Sequence, residues 1–393
     1  MPSDLAAHYT RFRVAERLLL TGHSHQAWPD VALEGQIEAF EDAARHVDDK
    51  WERALAKADE VREGFRRTLA DPTAEIALGA STHDLVLRFL SALDLRARPR
   101  LVTTDGEFHT LRRQLARLHE EGLDVARLPA EPADSLAERL ADAVDERTAA
   151  VLVSAVLFET ARIVPGLDAV ARACERAGAE LVVDAYHALG AMPFALAAQG
   201  LDDAWVVGGG YKYLQLGEGN CFLRVPAHAH ELRPAITGWY AEFSALAHEH
   251  DPQRVAYGRG AERFAGSTYD PTSHYRAARV MRFFDEQGLT PERLRASYRH
   301  QVDLLAAGFD ALAPPDALVT RDRVTPLDRY GAFLALRSPM AGELKAALAA
   351  RGVMTDSRGS WLRLGPAPYL ADEQLEQAVE LLGEALRSLP RSS

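Results

Sequence analysis

The chain has 393 residues, 47% of them hydrophobic, and a formal charge of −12 at pH 7. That length predicts one large and one smaller domain, and the acidic balance argues against nucleic acid or an anionic membrane as partner. Cys174 and Cys221 form no CxxC pair, the opening Met-Pro-Ser-Asp-Leu-Ala-Ala-His has no signal-peptide core, and no run approaches the ~18 apolar residues of a membrane span, so a cytoplasmic protein is expected.

Residues 1–20 suggest a helix, followed by an extended Leu18-Leu-Leu-Thr-Gly22. His23-Ser24-His25 could share a face and hold a metal, but no third ligand is near and a polar loop is preferred. Residues 31–70 are polar and helical, with Leu55, Val61, Phe65 and Leu69 as a weak apolar stripe. Ile76-Ala-Leu-Gly79 reads as a strand leading through Ser81 and Thr82 into a helix with Leu85, Val86, Phe89, Leu90 and Leu93 on one side. Such a helix start is either a simple cap or a seat for phosphate, because free N–H groups and the helix dipole both favour an anion. It is neither a Walker loop nor a GxGxxG turn.

Arg100 to Asp105 is the next strand, and Gly106-Glu-Phe108-His109-Thr110 is the loop at its end. Phe108 is either a core residue or a ring that stacks on a ligand. Strands follow at 123–128 and from Ala149 to about Phe158, with a helix over 165–178. Alternation of strand and helix from about 76 to 208 predicts a doubly wound, mostly parallel sheet. After Lys212 the chain returns so soon to Cys221-Phe-Leu-Arg-Val that an antiparallel strand is expected. His248-Glu-His-Asp251 resembles a metal cluster, though a solvated loop is preferred. Gly238-Trp239-Tyr240 and Phe264-Ala-Gly266-Ser267-Thr268-Tyr269 are glycine- and aromatic-rich loops of the kind that line pockets. Helix is expected from Thr272 to about Ala313, with a change of pattern near 280. A strand at 332–336, a helix at 340–350, a strand-like Trp361-Leu-Arg363-Leu and a last helix from 371 complete the chain. Arg363 sits among apolar neighbours, where it either pairs with a core carboxylate or receives a substrate carboxylate in its planar fork.

Two strand ends carry the chemistry. Glu180-Leu-Val-Val-Asp184 and Trp205-Val-Val-Gly-Gly-Gly-Tyr211-Lys212 each run from apolar strand to polar end, and ligands of open α/β sheets sit beyond such carboxyl ends. Taken singly, Asp184 could be a helix cap and Lys212 a solvated loop lysine. Together they suit pyridoxal phosphate, which needs a lysine for its Schiff base and an acid for its pyridine nitrogen.

On these residues the chain resembles the fold-type-I pyridoxal-phosphate enzymes of the class-V aminotransferase superfamily, and within them kynureninase. The resemblance rests on Asp184-Ala-Tyr-His187, Tyr211-Lys212-Tyr213-Leu214 and Gly238-Trp239-Tyr240. Gly22-His-Ser24, Phe108-His-Thr110, Gly266-Ser267 and Leu362-Arg363-Leu-Gly365-Pro-Ala-Pro-Tyr369 add weaker support. It implies an α/β fold with a mostly parallel seven-stranded sheet in a large domain over 31–280. A smaller α+β domain over 281–393 would be joined by an N-terminal arm, 1–30. It implies that Lys212 binds the cofactor and shuttles the proton, that Asp184 meets the pyridine nitrogen beside His187, and that Phe108 stacks on the ring. Ser81, Thr82 and Tyr211 would hold the phosphate, with Trp239, Ser267 and Thr268 supplied by the second subunit of a homodimer. Arg363 would bind the substrate carboxylate, with His23 and Ser24 on its polar groups and Trp239, Tyr240 and Phe264 along an apolar slot.

The family's Phe-Pro-Thr-Asp stands here as Phe108-His109-Thr110-Leu111, and His23 replaces an asparagine. Phe158-Glu159-Thr160-Ala161 and Gly217-Glu218-Gly219-Asn220 also depart from the family pattern. These changes bear on the substrate rather than the cofactor. The activity implied is hydrolysis of the Cβ–Cγ bond of an aryl γ-keto amino acid, kynurenine or a ring-substituted relative, to alanine and an aryl acid. A class-V aminotransferase or a β-lyase is the alternative. A desulfurase would need a cysteine on a C-terminal loop, and none follows Cys221.

Overall fold

The computed structural model describes residues 4–246 and 253–389, so the His248–Asp251 stretch lies outside it. After β1 (Leu18–Leu19) come the strands of the main sheet: β2 (Glu75–Gly79), β3 (Arg100–Thr104), β4 (Asp124–Leu128), β5 (Thr148–Ser154), β6 (Glu180–Asp184), β7 (Trp205–Gly209) and β8 (Cys221–Val225). Four more follow: β9 (Leu334–Arg337), β10 (Val353–Met354), β11 (Asp356–Arg358) and β12 (Trp361–Leu364).

The main sheet has seven strands in the order β2-β8-β7-β6-β5-β3-β4. β3 to β7 are parallel, whereas β8 is antiparallel to both neighbours because the Gly210–Asn220 link is too short for a crossover helix. The central strands are apolar on both faces, as a doubly covered sheet requires. Along β5, Val151 and Val153 face one hydrophobic cluster while Ala150 and Leu152 face the other. The helix Leu167–Ala177 covers the first face with Val170 and Cys174. The helices Thr82–Ala92 and His109–Glu120 cover the second with Leu85, Phe89, Leu111 and Leu115. Parallel register brings Ser154 beside Asp184 and Asp184 beside Val207, so the ends of β5, β6 and β7 share one edge.

The start of the chain departs from the helix expected over 1–20. It forms three separate 3-10 turns, Asp4–His8, Thr10–Phe12 and Val14–Glu16. Tertiary contacts outweigh propensity there: Arg13 is left-handed at φ 53°, the Asp30 carboxylate accepts from the Thr10 and Arg11 N–H groups, and the Tyr9 hydroxyl is drawn to buried Gln215. β1 then pairs in parallel with β10, and Gly22 N–H donates to Gly365 O at 2.8 Å. A Cβ on Gly22 would stand 2.2 Å from Pro366 O, so only glycine permits that approach.

Toward the C-terminus, β11, β12 and β9 form an antiparallel sheet in which Asp356 stands opposite Arg363. The helices Pro291–Ala311, Ala341–Ala349 and Asp372–Ser388 accompany it. Among the described residues, no helix is long and apolar enough to cross a membrane.

Candidate active site

Lys212 is buried, with Nζ 2.9 Å from His187 Nε2. Three rings surround the amine: Tyr186 at 4.4 Å, Phe108 at 5.5 Å and Tyr211 at 5.7 Å from Nζ to the ring centre. Burial lowers the lysine's proton affinity to about 7, against the opposing pull of Asp184 and with help from Arg363. His187 is held neutral well below the usual imidazole range, first by burial and then by Lys212 and Arg363. It therefore accepts from the ammonium at Nε2, while Nδ1 faces the Tyr213 hydroxyl at 3.4 Å.

Asp184, at the end of β6, accepts the Tyr186 N–H at Oδ1 at 2.8 Å. Burial pushes its carboxyl up, and the Tyr186 N–H and Lys212 pull it back. Thr82, Phe108 and Asp184 line one slot with Val86, Leu111 and Leu152. Ser81 caps the helix that begins there, accepting Asp84 N–H at 3.2 Å. Capping uses the Asp84 N–H on the serine hydroxyl, and the Thr82 N–H is directed at the Cys221 sulfur, which lies at the same end of the sheet.

Arg363 is 3% exposed, is ion-paired with the core carboxylate of Asp356 and donates to Phe158 O. Asp356 also takes Arg358 at 2.8 Å, so two guanidinium groups share one carboxylate. Burial lowers the proton affinity of Arg363, and Asp356 opposes this. The Phe158 and Phe333 rings flank Arg363 at 5.9 and 5.7 Å. Phe158 meets Phe108 edge-on at 5.5 Å, which closes a chain of rings from Arg363 to Lys212.

His23 is fully buried against Phe333, with Nε2 3.7 Å from Asp356 Oδ2. Burial lowers its proton affinity to about 3. His25 instead points outward and stacks on Tyr211, so the two histidines of the loop do not face a common ion. Ser24 spends its hydroxyl on Thr21 O at 3.0 Å.

Trp239, Ser267 and Thr268 are not brought to Lys212 in the single chain. Trp239 is 44% exposed, stacks on Tyr240 at 4.3 Å and donates from Nε1 to Thr268 Oγ1 at 3.1 Å. Ser267 and Thr268 line a separate open groove with Arg62, Arg66 and Arg88. Phe264 does not line a slot. It is fully buried and packs edge-on against Trp205 at 5.1 Å, because the turn Gly260–Phe264 lies on the second face of the sheet.

Sequence reasoning missed Tyr186, Glu107, Asp356 and Arg358. Tyr186 lay inside the Asp184-Ala-Tyr-His187 motif, and Glu107 lay beside Phe108 at a strand end. Asp356 carried no local signal, since only the hairpin register sets it opposite Arg363.

The donor set fits pyridoxal phosphate: a buried amine of lowered proton affinity, a carboxylate with Oδ2 to spare, a flanking aromatic ring and a helix N-terminus. Residues 33–214 match the family described as aminotransferase class-V. An uncharacterised aminotransferase of Bacillus subtilis is 23% identical over 348 residues, covering 88% of either chain. A kynureninase of Xanthomonas campestris is 28% identical over 348 residues, 81% of this chain and 78% of its own. Among solved structures, an apo cysteine desulfurase of Thermococcus onnurineus superposes with a TM-score of 0.81 at 17% identity, covering 99% of both chains. A cystine C–S lyase in complex with cysteine persulfide gives 0.80 at 16% identity, over 95% of this chain and 98% of its own.

Proposed function

We propose that this chain, which carries a class-V aminotransferase domain in a fold-type-I architecture with pyridoxal phosphate as cofactor, is a kynureninase-like hydrolase. Its substrate is an aryl γ-keto amino acid, and its products are alanine and an aryl acid. The observation that carries this reading is the run of rings, Phe108, Phe158 and Phe333, between the amine of Lys212 and the guanidinium of Arg363. Phe158 and Phe333 are buried against Arg363 and form the apolar wall behind it, beside which an amino acid with an aromatic tail and its carboxylate on Arg363 would bind. The 28% identity to kynureninases supports the same reading.

When bound, pyridoxal phosphate supplies an electron sink for charge left on the substrate's α-carbon. Lys212 would hold its aldehyde carbon, Asp184 its pyridine nitrogen and Phe108 one face of its ring. The N–H groups at Thr82, with Tyr211, would hold its phosphate. Arg363, fixed by Asp356 and Phe158 O, orients the substrate carboxylate. Once displaced by substrate, Lys212 removes the α-proton; its lowered proton affinity leaves a large neutral fraction near pH 7. His187 Nε2, 2.9 Å away, orients the Nζ lone pair and takes part of the positive charge when the proton arrives. The net reaction consumes one water, whose oxygen and one hydrogen end in the aryl carboxylic acid and whose other hydrogen ends on the β-carbon of alanine. The site is shared across a homodimer, with Trp239, Ser267 and Thr268 supplied by the second copy.

The test is a stopped assay of the holoenzyme with kynurenine and ring-substituted relatives, no keto acid added, scoring alanine and aryl acid by mass. Equimolar alanine and aryl acid are expected. A keto acid product with aminated cofactor would replace this reading with the transaminase one. No alanine from any aryl γ-keto amino acid would remove the hydrolase reading and leave the cofactor assignment standing.

A further inference from the structure

Glu107 is 1% exposed, and no step above uses it. Its carboxylate is fully engaged: Thr104 Oγ1 donates to Oε1 at 2.7 Å, Ser154 N–H to Oε1 at 3.2 Å, and Ser154 Oγ to Oε2 at 2.6 Å. Gly106 N–H in turn donates to Thr104 Oγ1 at 3.1 Å. The side chain therefore ties the loop after β3 to the last residue of β5. That residue, Ser154, is the register partner of Asp184 on β6. The next residue in the chain, Phe108, caps the helix His109–Glu120 and turns its ring toward Lys212.

A neutral side chain would serve as a tether at lower cost, since burying a carboxylate without an opposing charge is expensive. A second buried acid two strands from Asp184 needs a reason that its hydrogen bonds alone do not give. We propose that Glu107 is a positioning residue with two effects: it pins the Phe108 loop to the end of β5, and its charge beside Asp184 raises the proton affinity of the groups that Asp184 serves. This rests on the cofactor assignment and is independent of which bond the enzyme breaks.

The electrostatics agree in direction. Burial pushes Glu107 up to about 7, the Ser154 and Thr104 hydrogen bonds hold it down, and the Asp184 charge adds to the rise. The groups facing it are thus Thr104 from β3, Ser154 from β5 and Asp184 from β6, and Lys212 acts in turn on Asp184. Glu107 changes charge within the neutral range. When ionised it opposes the ionisation of Asp184 and favours a proton on the lysine–cofactor linkage nitrogen.

The experiment titrates the visible absorption of the purified holo-protein from about pH 5 to about pH 9.5 at fixed ionic strength. Wild type, Glu107→Gln and Ser154→Ala are compared, with thermal unfolding to verify the fold. Glu107→Gln keeps the tether and removes the charge, so the midpoint should move to lower pH by about half a unit or more. Ser154→Ala removes the donor that favours the ionised form, and should move it the same way by less. Midpoints unchanged in both folded variants would overturn the proposal and leave Glu107 a tether only. If Glu107→Gln does not fold, Ser154→Ala decides by the same criterion. A wild-type protein without a visible band overturns the cofactor assignment, and this proposal with it.

Discussion

The Lys212 pocket and the groove around Ser267 are both lined with charge, yet they treat it differently. In the pocket, three ionisable groups have a close partner and little water: Lys212 with His187, Arg363 with Asp356, Glu107 with Ser154. Burial then displaces proton affinities toward neutrality, to about 7 for both Lys212 and Glu107. In the groove, Arg62 pairs at 2.6 Å with an Asp59 whose side chain is 72% exposed, and Arg66 pairs at 3.5 Å with half-exposed Glu63. Such solvated pairs contribute about 0–1 kcal/mol and are screened by salt. The lesson is that removal from water, more than number of charges, marks where the chemistry is.

The sharpest way to break this comparison is Asp184→Asn. If Asp184 pairs with the pyridine nitrogen as proposed, losing the carboxylate removes the group that keeps that nitrogen protonated, so the rate should fall at least ~100-fold, about 2.7 kcal/mol of barrier, while cofactor remains bound. A near-wild-type rate in a steady-state assay would show that the nitrogen is not paired there.

Arg363→Lys comes next. A point charge cannot replace the planar fork, so KM for the amino acid should rise roughly 10-fold or more with cofactor content unchanged. Asp356→Asn should raise KM as well, by less, because Arg363 would lose its buried anchor. If both variants instead lose the fold at once, the ion pair is structural and the substrate carboxylate binds elsewhere.

Lys212→Met probes burial directly in the cofactor-free protein. The lysine binds fewer protons folded, at about 7, than unfolded, at 10.5, so its cost to stability is full below pH 7 and fades as pH rises to 10.5. The variant should therefore melt a few degrees higher than wild type near pH 6, with the gain shrinking toward pH 10. A constant gain at all pH values would contradict the shift.

The smallest effect is expected in the groove. If a second subunit brings Thr268 to the phosphate, Thr268→Ala should weaken cofactor binding by a few-fold, and the loss should grow on dilution below the dimer dissociation constant. A loss independent of concentration would put Thr268 in its own chain's site.

Much of this was legible in residue order. The β-branched runs ending at Asp184 and Gly209 predicted parallel strands with polar ends, and the short return to Cys221 predicted the antiparallel β8. Aromatic and polar residues immediately after a strand, such as Phe108 and His187, were visible for the same reason. The rest depended on register and packing. Asp356 reaches Arg363 only through the β11–β12 pairing, Phe333 reaches both His23 and His187 from the bend before β9, and Phe264 turned inward because Trp205 offered it a buried face. The broken N-terminal helix has the same origin, since Asp30 and Gln215 hold the segment in a shape its propensity would not select.

The central claim is that Lys212 carries the cofactor. Borohydride reduction of the purified holo-protein, followed by proteolysis and peptide mass mapping, tests it most directly. The pyridoxyl mass should appear on the peptide containing Tyr211-Lys212-Tyr213 and on no other lysine. A label on Lys50, Lys57 or Lys345, or a protein that takes up no pyridoxal phosphate, would contradict the account.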